Sequence, residues 1–325
     1  MSFGYQVLGF GSGGSAAAAF ITASGGTVTC CGDYKIHTFT GPGTFTVCSV
    51  GNAAGSNSVD YLVIAGGGGA GANGGGGGGA GGYRFSDGTA SGCYSAGPSP
   101  LGASALPVSA QGYPITVGAG GARGTNAPPM PVSAHGVNGA ASTFSSITSA
   151  GGGFGVSNSS AVTPPMSGGT GGSGGGSRGI TPASAGNTPP TSPPQGNAGG
   201  AGLVCACVGA GGGGAGGAGG NTPTLPGGNP AQIGGTGGVG LSSSITGSAV
   251  PRASGATGGG CRGVPGVTFP SPPGGAGDGG TGGGAGGENA TANTGGGGGG
   301  GGNYPPCTTG GIGGSGIVII RYKFQ

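Results

Sequence analysis

Alternating apolar and polar residues occupy the first part of the chain and predict β-strands there. The strings YKIHTFT and TFTVCSV alternate and are rich in β-branched residues, and Gly41-Pro42-Gly43 stands between them. Proline at the second turn position and glycine at the third favour a type II turn, which predicts a hairpin. The next apolar string, Val59–Ala65, shows no alternation, so we expect this strand to be buried on both faces.

A second continuous apolar string, Gly316–Phe324, closes the chain and also predicts a strand. It needs a partner that offers equal apolar surface, and Val59–Ala65 is the obvious candidate. We therefore predict that the two strands pair in one sheet. This pairing would bring together the two ends of everything that lies between them.

The region between these strands consists of glycine runs that alternate with segments rich in Pro, Ser, Thr and Ala. Glycine supplies 99 of the 325 residues and proline 25. The glycines do not fall strictly at every third position, which excludes collagen. Polyglycine II helices fit better, because they have three residues per turn, form no internal hydrogen bonds and satisfy their backbone groups from neighbouring helices. Only glycine allows such close approach on several sides at once.

These patterns predict a mainly β and irregular fold with almost no α-helix. A small β-sheet cap would join a bundle of polyglycine II helices, which are connected by loops rich in Pro, Ser and Thr. The predicted units are an attachment segment over 1–26, a β-rich cap over 27–65, the glycine-rich bundle over 66–314 and a closing strand over 315–325.

Low charge excludes several classes of function. The chain has 8 basic and 5 acidic residues, for a net charge of +3. Its arginines are scattered singly, so no basic stripe is available to neutralise the phosphates of a nucleic acid. No stretch approaches 18 apolar residues, so we expect no membrane insertion. The first residues lack the basic and long apolar regions of a signal peptide, which indicates synthesis in a cytosol.

The eight cysteines disagree with a protein that stays in the cytosol, because stable disulfides favour oxidising compartments. A protein that is made in a cytosol and later released into an oxidising medium reconciles the two. In an extended strand Cys205 and Cys207 would share one face, whereas Cys30 and Cys31 would point to opposite faces. A zinc site is the alternative, but it has no paired CxxC spacing and only the two histidines, His37 and His135, to contribute.

Several motifs in a fixed order carry a resemblance to a known family. They are FGYQVLGFG, HTFTGPGTFTV, VDYLVIAGGGG, GGYRF, YPITVGAGG and GGSGIVIIRYKF, and they extend over nearly the whole chain. In this combination the chain resembles a glycine-rich domain that is widespread in bacteriophage virion and tail-fibre proteins. More distantly, it is similar to the tip adhesins on the long tail fibres of T-even-like phages. In those adhesins polyglycine II helices form a sandwich, and loops at its far end select the host receptor. The N-terminal cap and the closing strand of this chain differ from theirs.

The resemblance implies a structural, non-enzymatic virion protein, a tail fibre or tail-tip adhesin exposed on the particle surface. Its expected partners are other virion proteins (fibre shaft, baseplate or capsid) and a bacterial surface receptor, either an outer-membrane protein or a polysaccharide, and a homotrimer is one expected assembly. A purely architectural role, as a capsid decoration or head fibre, is the alternative. An ice-binding protein is a third class, but the proline-rich insertions interrupt the flat face that ice binding requires.

Aromatic residues and arginine in and near the variable segments are the best candidates for receptor binding, because tyrosine and arginine are frequent at interface hot spots. The candidates are Tyr83, Arg84, Phe85, Tyr94 and, more weakly, Tyr304. The alternative is that these rings form a small core that covers the end of the bundle.

The first residues form a short aromatic and aliphatic segment that is too small to fold by itself. We expect it to attach the protein to another virion component. The side chains that would do so are Phe3, Tyr5, Val7, Leu8 and Phe10. Packing back onto the cap of the same chain is the alternative.

No pattern of polar residues predicts catalysis, a cofactor or a metal site. The string YLVIAGGGGAGANGG imitates a dinucleotide-binding fingerprint, but further glycines follow where that site needs a helix. A polysaccharide depolymerase would need two carboxylates, and the few present, such as Asp278 and Glu288, fit solvated turns better. Asp33, Lys35 and His37 alternate as they would on the wet side of a half-exposed strand. We therefore predict that the protein is not an enzyme.

Overall fold

The structure is a computed structural model with short β-strands and, within its described residues, no helix. It describes residues 17–92, 94, 97, 102–127, 132–158, 167–202, 208–223, 233–260, 268–281, 285–303 and 308–325. The strands are β1 (Thr22–Ser24), β2 (Thr27–Cys31), β3 (Tyr34–Phe39), β4 (Gly43–Ser49), β5 (Ser58–Ile64), β6 (Tyr83–Phe85), β7 (Leu106–Pro107), β8 (Gly112–Thr116), β9 (Asn126–Ala127), β10 (Val132–Ser133), β11 (Ser142–Phe144), β12 (Ile147–Ser149), β13 (Leu241–Ser243), β14 (Val250–Arg252), β15 (Thr268–Phe269), β16 (Gly279–Gly280) and β17 (Ile317–Lys323).

Two antiparallel sheets pack face to face and form a sandwich. One has the strand order β2-β3-β17-β5-β6, with β7 also paired to β5, and the other has the order β1-β4-β8-β11-β12. Alternate side chains of the facing strands fill the space between the sheets, as expected for a two-layer β-sandwich. Aromatic rings such as Phe45, Phe144 and Tyr322 lie at its centre, with Phe45 and Phe144 edge to face at 6.1 Å.

The pairing predicted between the two apolar strands is confirmed. β17 lies between β5 and β3, and its register with β5 places Ile319 opposite Leu62 and Ile320 opposite Tyr61. Both strands are buried on both faces. One face looks into the sandwich, and the other contacts the β13–β14 hairpin and alanines of the glycine-rich region, among them Ala80 and Ala215. This double burial explains why neither sequence alternates.

The predicted hairpin over residues 34–50 is wrong. β3 pairs with β2 and β17, whereas β4 pairs with β1 and β8, so the two strands belong to opposite sheets. Gly43 is not among the glycines with positive φ, so the type II turn is also absent here. The reason is that Phe39 and Phe45 both reach the core from different layers. The connection β1–β2 crosses between sheets at the same corner, through Gly25 at a φ of 112°.

The glycine runs form polyglycine II rods, as predicted. In the central rod, residues 66–71, successive N–H groups donate to three different neighbouring segments, and every third residue returns to the same one. The donations run from Gly66 and Gly69 to Ala140 and Val137, from Gly67 and Ala70 to Gly314 and Gly311, and from Gly68 and Gly71 to Gly79 and Gly76. This repeat is what a helix with three residues per turn requires.

The carbonyl oxygens of the central rod follow the same repeat with three further segments. They accept from Gly152 and Gly155, from Gly121 and Gly124, and from Gly298 and Gly301. The central rod therefore has six neighbours. The three that accept its N–H groups run antiparallel to it, and the three that donate to it run parallel. A backbone surrounded in this way needs no water to satisfy its polar groups.

Close packing explains why these positions are glycine. A Cβ atom built on Gly78 would lie 2.0 Å from the carbonyl oxygen of Gly68, and one on Gly297 would lie 1.9 Å from the oxygen of Gly78. Such contacts are far inside any van der Waals separation, so a side chain would force the rods apart.

The sandwich and the bundle are joined end to end, because strands continue directly into rods. β5 leads into residues 66–71, the rod 76–82 leads into β6, and β8 leads into residues 118–124. The sandwich is larger than the predicted cap. It includes β1, which lies before residue 27, and the strands β8, β11 and β12, which lie within the predicted bundle.

Candidate functional site: the distal end of the bundle

The rods leave the sandwich, reach the opposite end of the bundle and turn back there. We call this opposite end the distal end. The first such turn, residues 72–75, joins two neighbouring rods through Asn73 and Gly74, which have φ values of 58° and 67°. Its backbone is held on two sides, since Asn73 N–H donates to Thr308 O (3.0 Å) and Gly74 N–H donates to Gly301 O (2.6 Å).

Arg178 links this turn by hydrogen bonds to two other connections between rods. Its side chain is only 5% exposed. Nε donates to Gly74 O (3.0 Å), and Nη1 donates to Asn158 Oδ1 (2.5 Å). Asn158 N–H in turn donates to Ala72 O (3.1 Å). A buried guanidinium is stable only with such hydrogen bonds, so Arg178 holds the three connections in one arrangement.

The turn that carries Arg178 presents an isolated apolar side chain to solvent. Gly179 has a φ of 68°, and Thr181 Oγ1 donates to Arg178 O (3.0 Å), which fixes the turn. Ile180 between them is 79% exposed. An aliphatic side chain on a rigid turn can make a contact with little further loss of backbone conformational entropy.

Several backbone hydrogen bonds join neighbouring rods at this end. They are Thr181 N–H to Gly202 O (3.0 Å), Thr222 N–H to Ala201 O (3.0 Å), Gly260 N–H to Gly280 O (2.9 Å) and Asn303 N–H to Gly260 O (2.8 Å). The distal end therefore brings together residues from widely separated parts of the sequence.

The four sequence-predicted receptor residues that the structure describes are not at the distal end. Tyr83 and Phe85 lie in β6, beside the sandwich, and are 2% and 6% exposed. They belong to the core between the six-stranded sheet and the hairpin β13–β14, which makes them packing residues. Arg84 between them is half-buried. Tyr304 lies outside the described residues.

Tyr94 takes part in a buried polar cluster next to the sandwich. The guanidinium of Arg321 lies over the rings of Tyr34 and Tyr94, at 4.5 and 4.9 Å from their centroids. Burial raises the pKa of Tyr94, with a further contribution from the charge of Asp60. Tyr94 is thus half-buried and packed on the sheet, which favours a structural role over a receptor contact.

Asp60 anchors the segment that follows β6. Its carboxylate is fully buried; Oδ1 accepts from Ser86 Oγ (2.7 Å), and Oδ2 accepts from Ser91 N–H (2.7 Å) and Ser91 Oγ (2.5 Å). Three donors satisfy a charge that would otherwise be costly to bury. The sequence signal for this burial is the position of Asp60 inside Val59–Ala65, the string expected to be buried on both faces.

His37 was considered for catalysis, but its surroundings indicate a structural role. Its side chain is fully buried, which corrects its predicted place on the solvent-exposed face of a strand. Its Nδ1 hydrogen-bonds with Gly25 O (2.7 Å) and its Nε2 with Tyr322 Oη (3.1 Å). Desolvation lowers the pKa of His37, and the nearby Lys35 adds to this, against the opposing effect of the Gly25 hydrogen bond.

Asp278 and Glu288 lie on neighbouring rods, because Glu288 N–H donates to Asp278 O (2.9 Å). Asp278 Oδ1 accepts from Ser271 N–H (2.7 Å), which caps a turn, and Glu288 is exposed.

In the part of the chain that the structure describes, no three His, Cys, Asp or Glu side chains are grouped as metal ligands, and no helix could cross a membrane.

The structure describes three of the eight cysteines. Cys30, Cys31 and Cys48 carry free thiols. The other five, including Cys205 and Cys207, lie outside the described residues. So do Phe3, Tyr5, Val7, Leu8 and Phe10, and their role in attachment stays a prediction.

A family model described as a glycine-rich domain matches residues 38–323, which is most of the chain and includes both the sandwich and the rods. No curated protein matches the chain.

Proposed function

We propose that this chain, which belongs to the glycine-rich domain family, is a structural protein of a bacteriophage particle, as the resemblance of its ordered motifs implies. It would be a tail fibre or tail-tip adhesin that holds recognition loops at the distal end. The observation that carries this proposal is the gathering of turns from separate parts of the sequence on one hydrogen-bonded surface. Binding residues are commonly placed on loops that a rigid scaffold positions. Here the scaffold is the bundle, and Arg178 orders its distal surface.

The opposite end suits attachment to the particle. In this proposal the sandwich binds a fibre shaft, baseplate or capsid protein, and the distal end meets an outer-membrane protein or polysaccharide of the host. The scarcity of charge supports a contact made by shape and apolar surface rather than by electrostatic steering. A purely architectural protein would instead keep both ends within the particle.

Location on the particle tests the proposal. Antibodies against the purified chain, detected with immunogold by electron microscopy, should label the tips of tail fibres in a stock of the phage that encodes it. Label distributed over the head would support the architectural alternative. Particles that carry no label at all would overturn a virion role.

Adsorption to host cells tests the distal assignment. The purified chain should bind host cells and compete with phage adsorption, and Ile180→Asp should weaken both effects. Val239→Asp is the matched control, since Val239 is an exposed aliphatic residue (52%) on a rod rather than on a distal turn. Equal loss in both variants, with unchanged melting, would contradict the distal assignment.

A further inference from the structure

The outermost strand of the six-stranded sheet has an open edge. β2 pairs with β3 on one side, and no described strand pairs with its other side. Thr27, Val28, Thr29 and Cys30 are all exposed, and Val28 is 46% exposed. In an antiparallel sheet alternate residues of such a strand direct their N–H and C=O groups outward, where they are available to another strand.

β2 differs from the other terminal strands of the sandwich. β1, β6 and β12 have three residues each, and β6 and β12 are mainly buried. β2 has five residues and contains neither a charge nor a proline, which are the usual means of blocking an edge. An edge of this length without protection is a docking site for an extended segment.

The N-terminal segment of the chain has the properties that this edge requires. It contains eight residues, Phe3–Phe10, without charge or proline, and Phe3, Tyr5 and Val7 would share one face of a strand. Its downstream end is near the sandwich, because Asn52 Nδ2 donates to Ala17 O (2.8 Å). The connecting residues 11–16 span up to about 20 Å, somewhat more than the roughly 17 Å length of a five-residue strand.

We propose that residues Phe3–Phe10 add to the open edge of β2 in their own chain as a further strand. Val28 and Cys30 lie on the side of β2 that faces the second sheet, since they are opposite His37 and Lys35. Phe3, Tyr5 and Val7 would cover them from the added strand. A connection this short gives a high effective concentration, which favours the segment of the same chain over a separate molecule. The first residues thus complete the sandwich instead of binding another virion protein.

Hydrogen–deuterium exchange on the purified full-length chain tests this inference. The outward amides of Thr27–Cys31 and the amides of Phe3–Phe10 should be protected. Tyr5→Pro should abolish protection at both places, because proline removes a donor and cannot sit inside a paired strand. Ser12→Pro, in the connecting residues, is the control and should leave protection at both places unchanged. Protection of β17 should be the same in all three proteins, which shows that the sandwich is intact.

Thiol reactivity gives a second readout. Alkylation of Cys30 should be slow in the parent and in Ser12→Pro and fast in Tyr5→Pro, whereas Cys48, an exposed thiol on β4, should react at one rate in all three. Free exchange at β2 in the parent would overturn the inference. So would protection that appears only when the purified chain dimerises, which would identify a second copy, or only in assembled particles, which would identify a virion partner.

Discussion

Single buried residues determine how the stability of this protein depends on pH. His37 is a fully buried titratable group of the sandwich, with ring contacts to Phe45 and Tyr322 at 5.1 and 5.5 Å. One ring nitrogen faces a carbonyl oxygen and the other a hydroxyl, so the neutral imidazole can satisfy both. Burial also raises the pKa of Tyr322 to about 12, so both partners stay uncharged at neutral pH.

We therefore expect the sandwich to lose stability in mild acid. The pKa of His37 is lower in the folded protein than its value of about 6.5 in an unfolded chain. The unfolded chain then binds more protons just below pH 6.5, so stability is fully present above that pH and falls as the pH drops towards the folded pKa. Melting temperatures between pH 8 and pH 5 should show this decline. His37→Gln should be less stable at neutral pH and should decline less, whereas His135→Gln, at a half-buried histidine, should retain most of the decline.

The buried hydrogen bonds of the Asp60 carboxylate lead to a second prediction for a single residue. Replacing it with asparagine puts an NH₂ group where a carboxylate oxygen accepts a hydrogen bond, so at least one buried donor loses its partner. Asp60→Asn should cost about 1–3 kcal/mol in chemical denaturation. Asp87→Asn is the control, because Asp87 accepts from Thr89 at an exposed site and should be nearly neutral. Similar losses in the two variants would mean that the carboxylate of Asp60 is not needed as an anchor.

Among the elements of the fold, the paired apolar strands β5 and β17 are those on which the sandwich depends. Ile319 is fully buried in β17, between Leu62 of β5 and Thr38 of β3. Ile319→Asp would bury a charge without a partner and should prevent folding. Val137→Asp, at an exposed position on a rod, should fold normally. Circular dichroism and size-exclusion chromatography separate the two outcomes, and a folded Ile319→Asp protein would contradict the structure of this sheet.

The sequence predicted these strands well because their apolar runs were long and had one suitable partner. It failed at the corner around Gly41-Pro42-Gly43, because local turn residues cannot show that Phe39 and Phe45 enter the core from different layers. It also placed the binding residues in β6. Tyr83 and Phe85 have the composition of an interface, and only the three-dimensional position of the hairpin β13–β14 shows that they are covered.

The rods were predicted from composition, but their arrangement was not. A run of glycines does not specify which six segments surround it, and the spacing of the runs along the chain carries no such information. Arg178 illustrates the same limit. In the sequence it is one of several single arginines, and its role depends on Gly74 and Asn158, which come from separate connections.

Replacing a glycine by alanine should affect thermal stability differently in the rods and in the sandwich. Gly78→Ala would place a methyl group against the Gly68 carbonyl oxygen and should lower the melting temperature strongly. Gly41→Ala meets no atom within 4 Å and has no positive φ, so it should be neutral or slightly stabilising. Thermal unfolding of the two variants checks this, and a neutral Gly78→Ala would show that the rods are less closely packed than described.

For the whole molecule, we predict the absence of hydrolytic activity. Asp278 caps a turn, and Glu288 is exposed on the neighbouring rod, so neither is placed in a cleft that could enclose a sugar. The purified chain should not depolymerise capsule or lipopolysaccharide from host cells, measured by release of reducing sugars. Activity that disappears in Asp278→Asn or Glu288→Gln would contradict this prediction and would assign these carboxylates a catalytic role.

The threefold repeat of the rods has a consequence for how such a chain can change in length. Each residue added to a rod turns every later N–H group by one third of a turn, towards the wrong neighbour. One glycine inserted between Gly67 and Gly68 should therefore prevent folding, whereas one inserted after Gly227, which in the sequence lies between the described rod residues 218–223 and 233–240, should be tolerated. Three inserted residues keep the phase but lengthen a rod by about 9 Å. Genes for such proteins should accordingly vary in length freely at the distal connections, while their rods gain or lose residues only in threes.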